Sequence, residues 1–488
     1  MSGRFSFSRD QLRARTVRGA IVTAGFLVVL DVLVVVQGLV VTRLLGPELI
    51  GLYGVVAVTT MTVVALKRIG IDEAFIQQDV EGQEEEFQRA FTLDLATSAV
   101  LTLLLCALAP VVAAVYGEDR LLGLMLATAY LPLAFAMQAP LWVFMRRMEY
   151  GRQRALQAIQ PVVTIAVTVP LAATGFGVWS LVVGPLAGHL VSATATVAMS
   201  PYRLRLRFDR ATARRYVAFG VPTLIATVAT LIVAQGQVLA FDLAEGLVWV
   251  GYLTLAVTVT RYVDRADQIV TSTLYPAIAA IQGRTPTLEE LFTKSNKATL
   301  LWVLPYTAAL VLFAGDLVEF VLGEEWRDAV ILIQGLAVAG LLQQLGFNWF
   351  AFYRAHGLAK PPAVEAAGSA LGFLALAVPG LIVAGAEGFV AGRIAGVLIA
   401  VAIRAHYVRQ MLPGVRPGAI LASGLLALAA ASATVLALRV ALWGGERPLW
   451  QAVLEAVLFT AVFAAVALRR ERRLLAEMRS AVRPDPAP

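Results

Sequence analysis

What most constrains this chain is a succession of apolar blocks, each about twenty residues long and separated by short charged or Gly/Pro-rich breaks. A helix needs about 20 apolar residues to cross a hydrocarbon core about 30 Å thick. Inside that core, only helices and closed barrels satisfy their own backbone polar groups. A soluble chain of 488 residues would show polar helix faces at 3.6-residue spacing, and most of these blocks lack them. The chain is therefore expected to be an all-α integral membrane protein with about fourteen transmembrane helices. The first block, from about Ala20 to Val41, is too long for a signal-peptide core and reads as a retained span.

The remaining composition excludes more than it nominates. Cys106 is the single cysteine and sits in an apolar run, so there is neither a disulfide framework nor a thiolate metal site. His189, His356 and His406 are far apart and fit no metal-ligand spacing, and no phosphate-cradling G-x-x-x-x-G-K-[ST] loop occurs. The "GFGVWS" at 175–180 reads as a tight turn on the outer side. No enzyme, metal or cofactor is expected. Of the 40 lysines and arginines, 32 fall on the side of the amino terminus, five on the other side, and Arg261, Arg265 and Arg393 inside spans. This places both termini in the cytoplasm. The net charge of +7 then reflects orientation, not nucleic-acid binding. The basic tracts at 203–215 and 469–479 read as anchors to membrane lipids, and the acidic run "IDEAFIQQDVEGQEEE" (71–86) is assigned no role.

Features recur at an offset near two hundred residues. Gln37 pairs with Gln237, Gly51 with Gly251, "YGEDR" (116–120) with "LGEEWR" (322–327), and "GFGVW" with "AEGFV". Six spans followed by six, both starting from the cytoplasm, imply two bundles related by a pseudo-two-fold axis along the membrane normal. The expected division is an amino-terminal six-helix bundle over 1–209, a second bundle over 210–412, and spans thirteen and fourteen with a basic tail over 413–488.

The stretches "TRLLGPELIGLYGVVAV" (42–58), its echo "LAEGLVWVGYLTLAV" (243–257), "TLYPAIAAIQ" (273–282) and "VEFVLGEEWRDAVILIQGLAVAGLLQ" (318–343) carry a resemblance. Over roughly residues 15–410 the chain resembles Wzx-type polysaccharide flippases, a branch of the multidrug/oligosaccharidyl-lipid/polysaccharide (MOP) exporter superfamily. The resemblance implies alternating-access translocation of an oligosaccharide, linked through pyrophosphate to a polyprenol, from the cytoplasmic to the outer leaflet. Polysaccharide-synthesis proteins would be further partners. The alternative within the superfamily is an ion-coupled multidrug or cation exporter, and two arginines in one span disfavour a cationic cargo.

The stretch "VTRYVDRADQIV" (259–270) places Arg261, Asp264, Arg265 and Gln268 at i, i+3, i+4 and i+7, one stripe of span eight facing protein or water. Arginine bonds phosphate oxygens bidentately and keeps its charge, so Arg261 and Arg265 are candidates to hold the pyrophosphate, with Asp264 orienting them. The competing reading is a structural Arg–Asp ladder snorkelling to the inner face. Asp31, mid-way along span one, is either a proton or sodium coupling site or an arginine's partner. Gln37 and Gln237 either bond sugar hydroxyls or join helices. Arg18, at the inner mouth of span one, captures phosphate or anchors the helix. Glu365, Arg393 and Glu455 each need a partner that sequence cannot name.

Overall fold

The computed structural model describes residues 9–67, 71–78, 82–147, 149–210, 214, 232–264, 278, 285–355, 358, 360–443, 447–472 and 476. Among them there is no strand. Nine helices are long and apolar enough to cross a membrane, and Leu247–Thr260 and Ala329–Gln343 are shorter apolar helices. Several of the nine contain a break, Arg120–Arg146 among them, so the expected spans do not map one to one onto continuous helices. Val32–Ala65 is broken at Gly46, whose φ of 76° is left-handed, and Pro47 opens the second limb. Lys360–Met411 has 52 residues, about 78 Å if straight, and is broken at Ala384–Gly385. The expected seventh span, 215–240, falls largely outside the described residues, as does 265–277 of the eighth, 246–280.

The chain divides into two compact units, Met1–Asp242 and Leu243–Pro488. The first contains α1 (Arg9–Ala65), α2 (Ile71–Gln77), α3 (Gln83–Tyr116), α4 (Arg120–Thr128), α5 (Leu131–Ala136), α6 (Pro140–Arg146), α7 (Tyr150–Ala173) and α8 (Ser180–Ala198), and its boundary falls inside α9, a helix over 232–245. The second contains α10 (Leu247–Thr260), α11 (Thr285–Asp316), α12 (Ala329–Gln343), α13 (Trp349–Ala355), α14 (Lys360–Gly372), α15 (Val378–Met411), α16 (Pro417–Leu438) and α17 (Leu449–Arg470). The repeated sequence features occupy similar turns in the two units. Positive-φ glycines stand at 46 and 246, at 117 and 323, and at 175 and 385. Each ends or breaks a span where an L side chain would be strained.

Lipid gives helices no hydrophobic drive to associate, so close backbone approach at small residues carries much of the packing. In the first unit, α7 and α8 cross at Gly184 and Gly188, one turn apart; a Cβ on Gly188 would lie 2.6 Å from the Gln160 carbonyl oxygen, and one on Gly184 would collide with Thr168. In the second, the break at Ala384–Gly385 folds α15 back on α14. Gly380 and Gly388 then meet backbone to backbone, and a Cβ on Gly372 would lie 2.8 Å from the Gly396 Cα. Bulky apolar side chains such as Leu103, Val383 and Val440 point outward, as a lipid-facing surface requires.

The acidic run to which the sequence assigns no role has partners. Residues 203–209, outside any helix, pass along α3: Gln88 Nε2 donates to the Arg203 carbonyl at 2.9 Å, Arg203 N–H to Glu84 at 3.1 Å and Arg207 N–H to Thr92 Oγ1 at 2.7 Å. Arg207 also pairs with Glu85 at 2.8 Å. The end of the acidic run thus holds the basic tract against the unit.

Candidate functional site

The charged stretch of span eight lies where α10 changes geometry. Its α-helix ends at Thr260, and Arg261–Asp264 form a turn of 3-10 helix. Two donors from α11 hold that turn. Tyr306 Oη donates to the Val259 carbonyl at 2.7 Å, and Trp302 Nε1 to the Tyr262 carbonyl at 3.1 Å. The α-helical stripe expected from 261 onward is therefore corrected in its first turn. In a 3-10 helix, residues i and i+3 eclipse, so Arg261 and Asp264 still share a face, and both are exposed. Arg265 and Gln268 lie outside the described residues.

Arg261 donates to Tyr262 Oη at 3.1 Å, and its guanidinium lies 5.1 Å from that ring. It pairs with no carboxylate among the described residues, which leaves guanidinium donors available to an anion. Asp264 Oδ1 accepts from Gln344 Nε2 at 2.6 Å, so a neutral amide from the end of α12 fixes that carboxylate. Gln37 in α1 and Gln237 in α9 are both partly exposed. The cross-helix bonds of α9 come instead from Gln235, whose Nε2 donates to the Val58 carbonyl at 3.1 Å and to Thr62 Oγ1 at 2.6 Å. Arg18 and Asp31 belong to α1, and their side chains lie outside the described residues.

Several buried charges find partners that the sequence left unnamed. Arg404 in α15 pairs with Glu365 at 2.8 Å and donates to the Gln343 and Leu345 carbonyls, closing the carboxyl end of α12. Glu455, fully buried in α17, lies 2.7 Å from both Arg439 and Arg447, and Arg447 also reaches Asp316 at 2.9 Å. This quartet ties the last two spans to the end of α11. Arg393 has one buried guanidinium nitrogen without a hydrogen-bond partner among the described residues. In the first unit Lys67 pairs with Asp94 at 2.9 Å, both almost buried. Sequence reasoning passed over this pair, although a lone lysine closing one span and a lone aspartate inside the next is a signal it could have used.

Residues 40–331 match the family described as polysaccharide biosynthesis protein. The succinoglycan biosynthesis transport protein ExoT of Rhizobium meliloti (strain 1021) is 23% identical over 305 residues, 62% of this chain and 61% of that protein. The chain thus spans about three fifths of that relative's length. The lipopolysaccharide biosynthesis protein WzxC of Escherichia coli (strain K12) is 23% identical over 344 residues, 69% of each chain. Among solved structures, the lipid II flippase MurJ in an inward closed conformation superposes with a TM-score of 0.73 at 12% identity, over 93% of this chain and 100% of that one. An inward-facing multidrug resistance MATE family transporter of the MOP superfamily gives 0.67 at 15% identity, over 79% and 94%. At these identities the likeness speaks for the fold. Matched over more than half its length, the chain belongs to the polysaccharide biosynthesis protein family, with several membrane-length apolar helices among the described residues and the all-α fold shared by MurJ and MATE proteins.

Proposed function

We propose that the protein moves an oligosaccharide linked through pyrophosphate to a polyprenol from the cytoplasmic to the outer leaflet, by alternating access, for surface polysaccharide biosynthesis. Membership in the polysaccharide biosynthesis family carries this reading, and the full-length likeness to a lipid II flippase supports the lipid-linked cargo. In it, Arg261 holds the pyrophosphate, with Arg265 beside it and Asp264 setting the local geometry. Gln37 and Gln237 bond the glycan, Arg18 captures phosphate at the inner mouth, and Asp31 couples transport to a proton or sodium gradient. Arg261 is the residue with most support: it is exposed, permanently charged and bonded only to a neutral phenol among the described residues.

The MATE fold likeness also fits an exporter of organic cations. An arginine without a carboxylate partner disfavours that cargo, because like charges repel strongly where water is scarce. The test is movement of a fluorescent polyprenyl-pyrophosphate oligosaccharide in proteoliposomes, with and without proton or sodium gradients. A hydrogen bond to a charged group is worth about 1.5–3 kcal/mol, so Arg261→Ala is expected to slow flipping about 10- to 100-fold. Asp31→Asn is expected to leave residual flipping that no longer responds to either gradient. Wild-type rates in Arg261→Ala would remove the pyrophosphate assignment, and an unaltered gradient response in Asp31→Asn would remove the coupling assignment.

A further inference from the structure

A cavity of about 410 Å³ opens inside the amino-terminal unit, between the end of α1 and helices α2, α3, α5, α6 and α7. Its polar lining comes from Lys67, Asp72, Asp94, Gln138, Gln153 and Gln157, and Trp142 supplies an indole beside them. It sits at the end of the unit that the distribution of lysines and arginines assigns to the cytoplasm.

Gln138 reaches the cavity because the fourth span is broken there. α5 ends at Ala136 and Pro140 opens α6; the turn between them is closed by Gln138 N–H to the Phe135 carbonyl and Leu141 N–H to the Gln138 carbonyl. Gln153 comes from the first turns of α7 and is only 6% exposed. Neither side-chain amide bonds to any described residue. Buried polar groups are nearly always paired, so Gln153, left open onto the cavity, needs a partner from outside the fold, and the partly exposed Gln138 offers a second open amide beside it. Gln157 uses its carbonyl to accept from Arg154 at 2.7 Å, which leaves its NH₂ available. The second unit offers an internal comparison. Gln344 stands 206 residues after Gln138, the offset of the "YGEDR" repeat, at a similar break after α12, and there the side-chain NH₂ is spent on Asp264 at 2.6 Å. The glutamine whose NH₂ stays open onto a cavity belongs to the first unit.

We infer that this cavity is a saccharide subsite, which takes sugar rings of the cargo while the pyrophosphate is held elsewhere; the inference rests on the flippase reading. An amide donates and accepts, as a sugar hydroxyl does, and an indole face suits the apolar face of a sugar ring. Phosphate fits poorly. Lys67 is already neutralised by Asp94, and Asp72 adds a second carboxylate to the wall. The volume lies within the ~300–1,000 Å³ of small-molecule sites.

The test uses full-length purified protein and, as probe, the oligosaccharide released by mild acid from the producing cell's polyprenyl-linked glycans. Inorganic pyrophosphate and tetraphenylphosphonium serve as competitors, and binding is read by saturation-transfer NMR. Wild-type protein is expected to bind the glycan, and neither competitor is expected to displace it. Gln138→Ala, at a partly exposed turn, and Gln153→Leu, close in shape, are each expected to weaken binding about tenfold. Thermal unfolding of each variant shows whether it is folded. No glycan binding by the wild type, equal binding by a folded Gln138→Ala, or displacement by either competitor would overturn the subsite. Its failure is separable from that of the transport reading. Intact flipping with glycan binding indifferent to both glutamines sinks the subsite alone. Glycan binding lost in the variants, with no lipid-linked glycan moved by the wild type, sinks the flippase alone.

Discussion

At the scale of single residues, charges in this protein differ by where they are spent. Arg120, at the turn after α3, bonds Glu118 and Glu48 at the solvent-exposed surface, and its hydrogen bonds hold the Glu118 carboxyl below the usual carboxylate range. That contribution is present above the carboxylate's unfolded pKa, fades as pH falls through its lowered value, and is screened throughout. Arg404 is the opposite case, almost buried and bound to one carboxylate and two carbonyls at a helix end. Removing one member of a buried pair strands the other, at a cost of about 3–5 kcal/mol. Arg404→Ala is therefore expected to lower the apparent melting temperature in detergent markedly. Arg404→Lys should rescue little, because an ammonium cannot reproduce the planar fork. A lysine variant as stable as wild type would show that charge alone matters there.

At the scale of elements, glycine decides how the apolar blocks meet. Gly380 and Gly388 lie on either side of the break at Ala384–Gly385 and touch through their backbones. A side chain at either must push the two limbs apart, and overpacking of this kind costs about 1–3 kcal/mol or more. Gly380→Leu is expected to destabilise the protein, whereas Gly315→Ala, with nothing within 4 Å of the new Cβ, is expected to be neutral or stabilising. The comparison is read from unfolding curves of the two variants in the same detergent. Equal shifts would mean that the hairpin accommodates side chains. The same scale explains why the α-helical stripe on span eight needed correction: periodicity cannot see Tyr306 and Trp302, whose bonds hold the tightened turn at Arg261–Asp264.

At the scale of the whole molecule, the asymmetry of lysine and arginine predicts which loops face the cytoplasm. In a background with Cys106 replaced by alanine, Asp119→Cys is expected to react with an impermeant maleimide in intact cells. Arg205→Cys is expected to react only after permeabilisation. The reverse pattern would invert the protein and turn the proposed loading side outward. At the same scale the acidic run and the basic tract, read separately as a stretch without a role and a lipid anchor, become one contact when α3 brings residues 84–92 beside 203–207.

The sequence alone determined the all-α membrane class and the family resemblance, because bilayer thickness imposes a length on every apolar block and recurrent glycines mark the turns. The repeated "YGEDR" and "LGEEWR" were legible for the same reason, since Gly117 and Gly323 each need a backbone conformation that few other residues accept. Only the tertiary structure decided which charges pair and which polar groups stay open. Glu365 with Arg404, Glu455 with Arg439 and Arg447, and Lys67 with Asp94 are contacts between separate helices, and no spacing along one chain encodes them. Gln138 and Gln344 read alike as letters; one lines a cavity and the other binds Asp264, because burial and hydrogen bonding belong to the neighbours a residue meets in space.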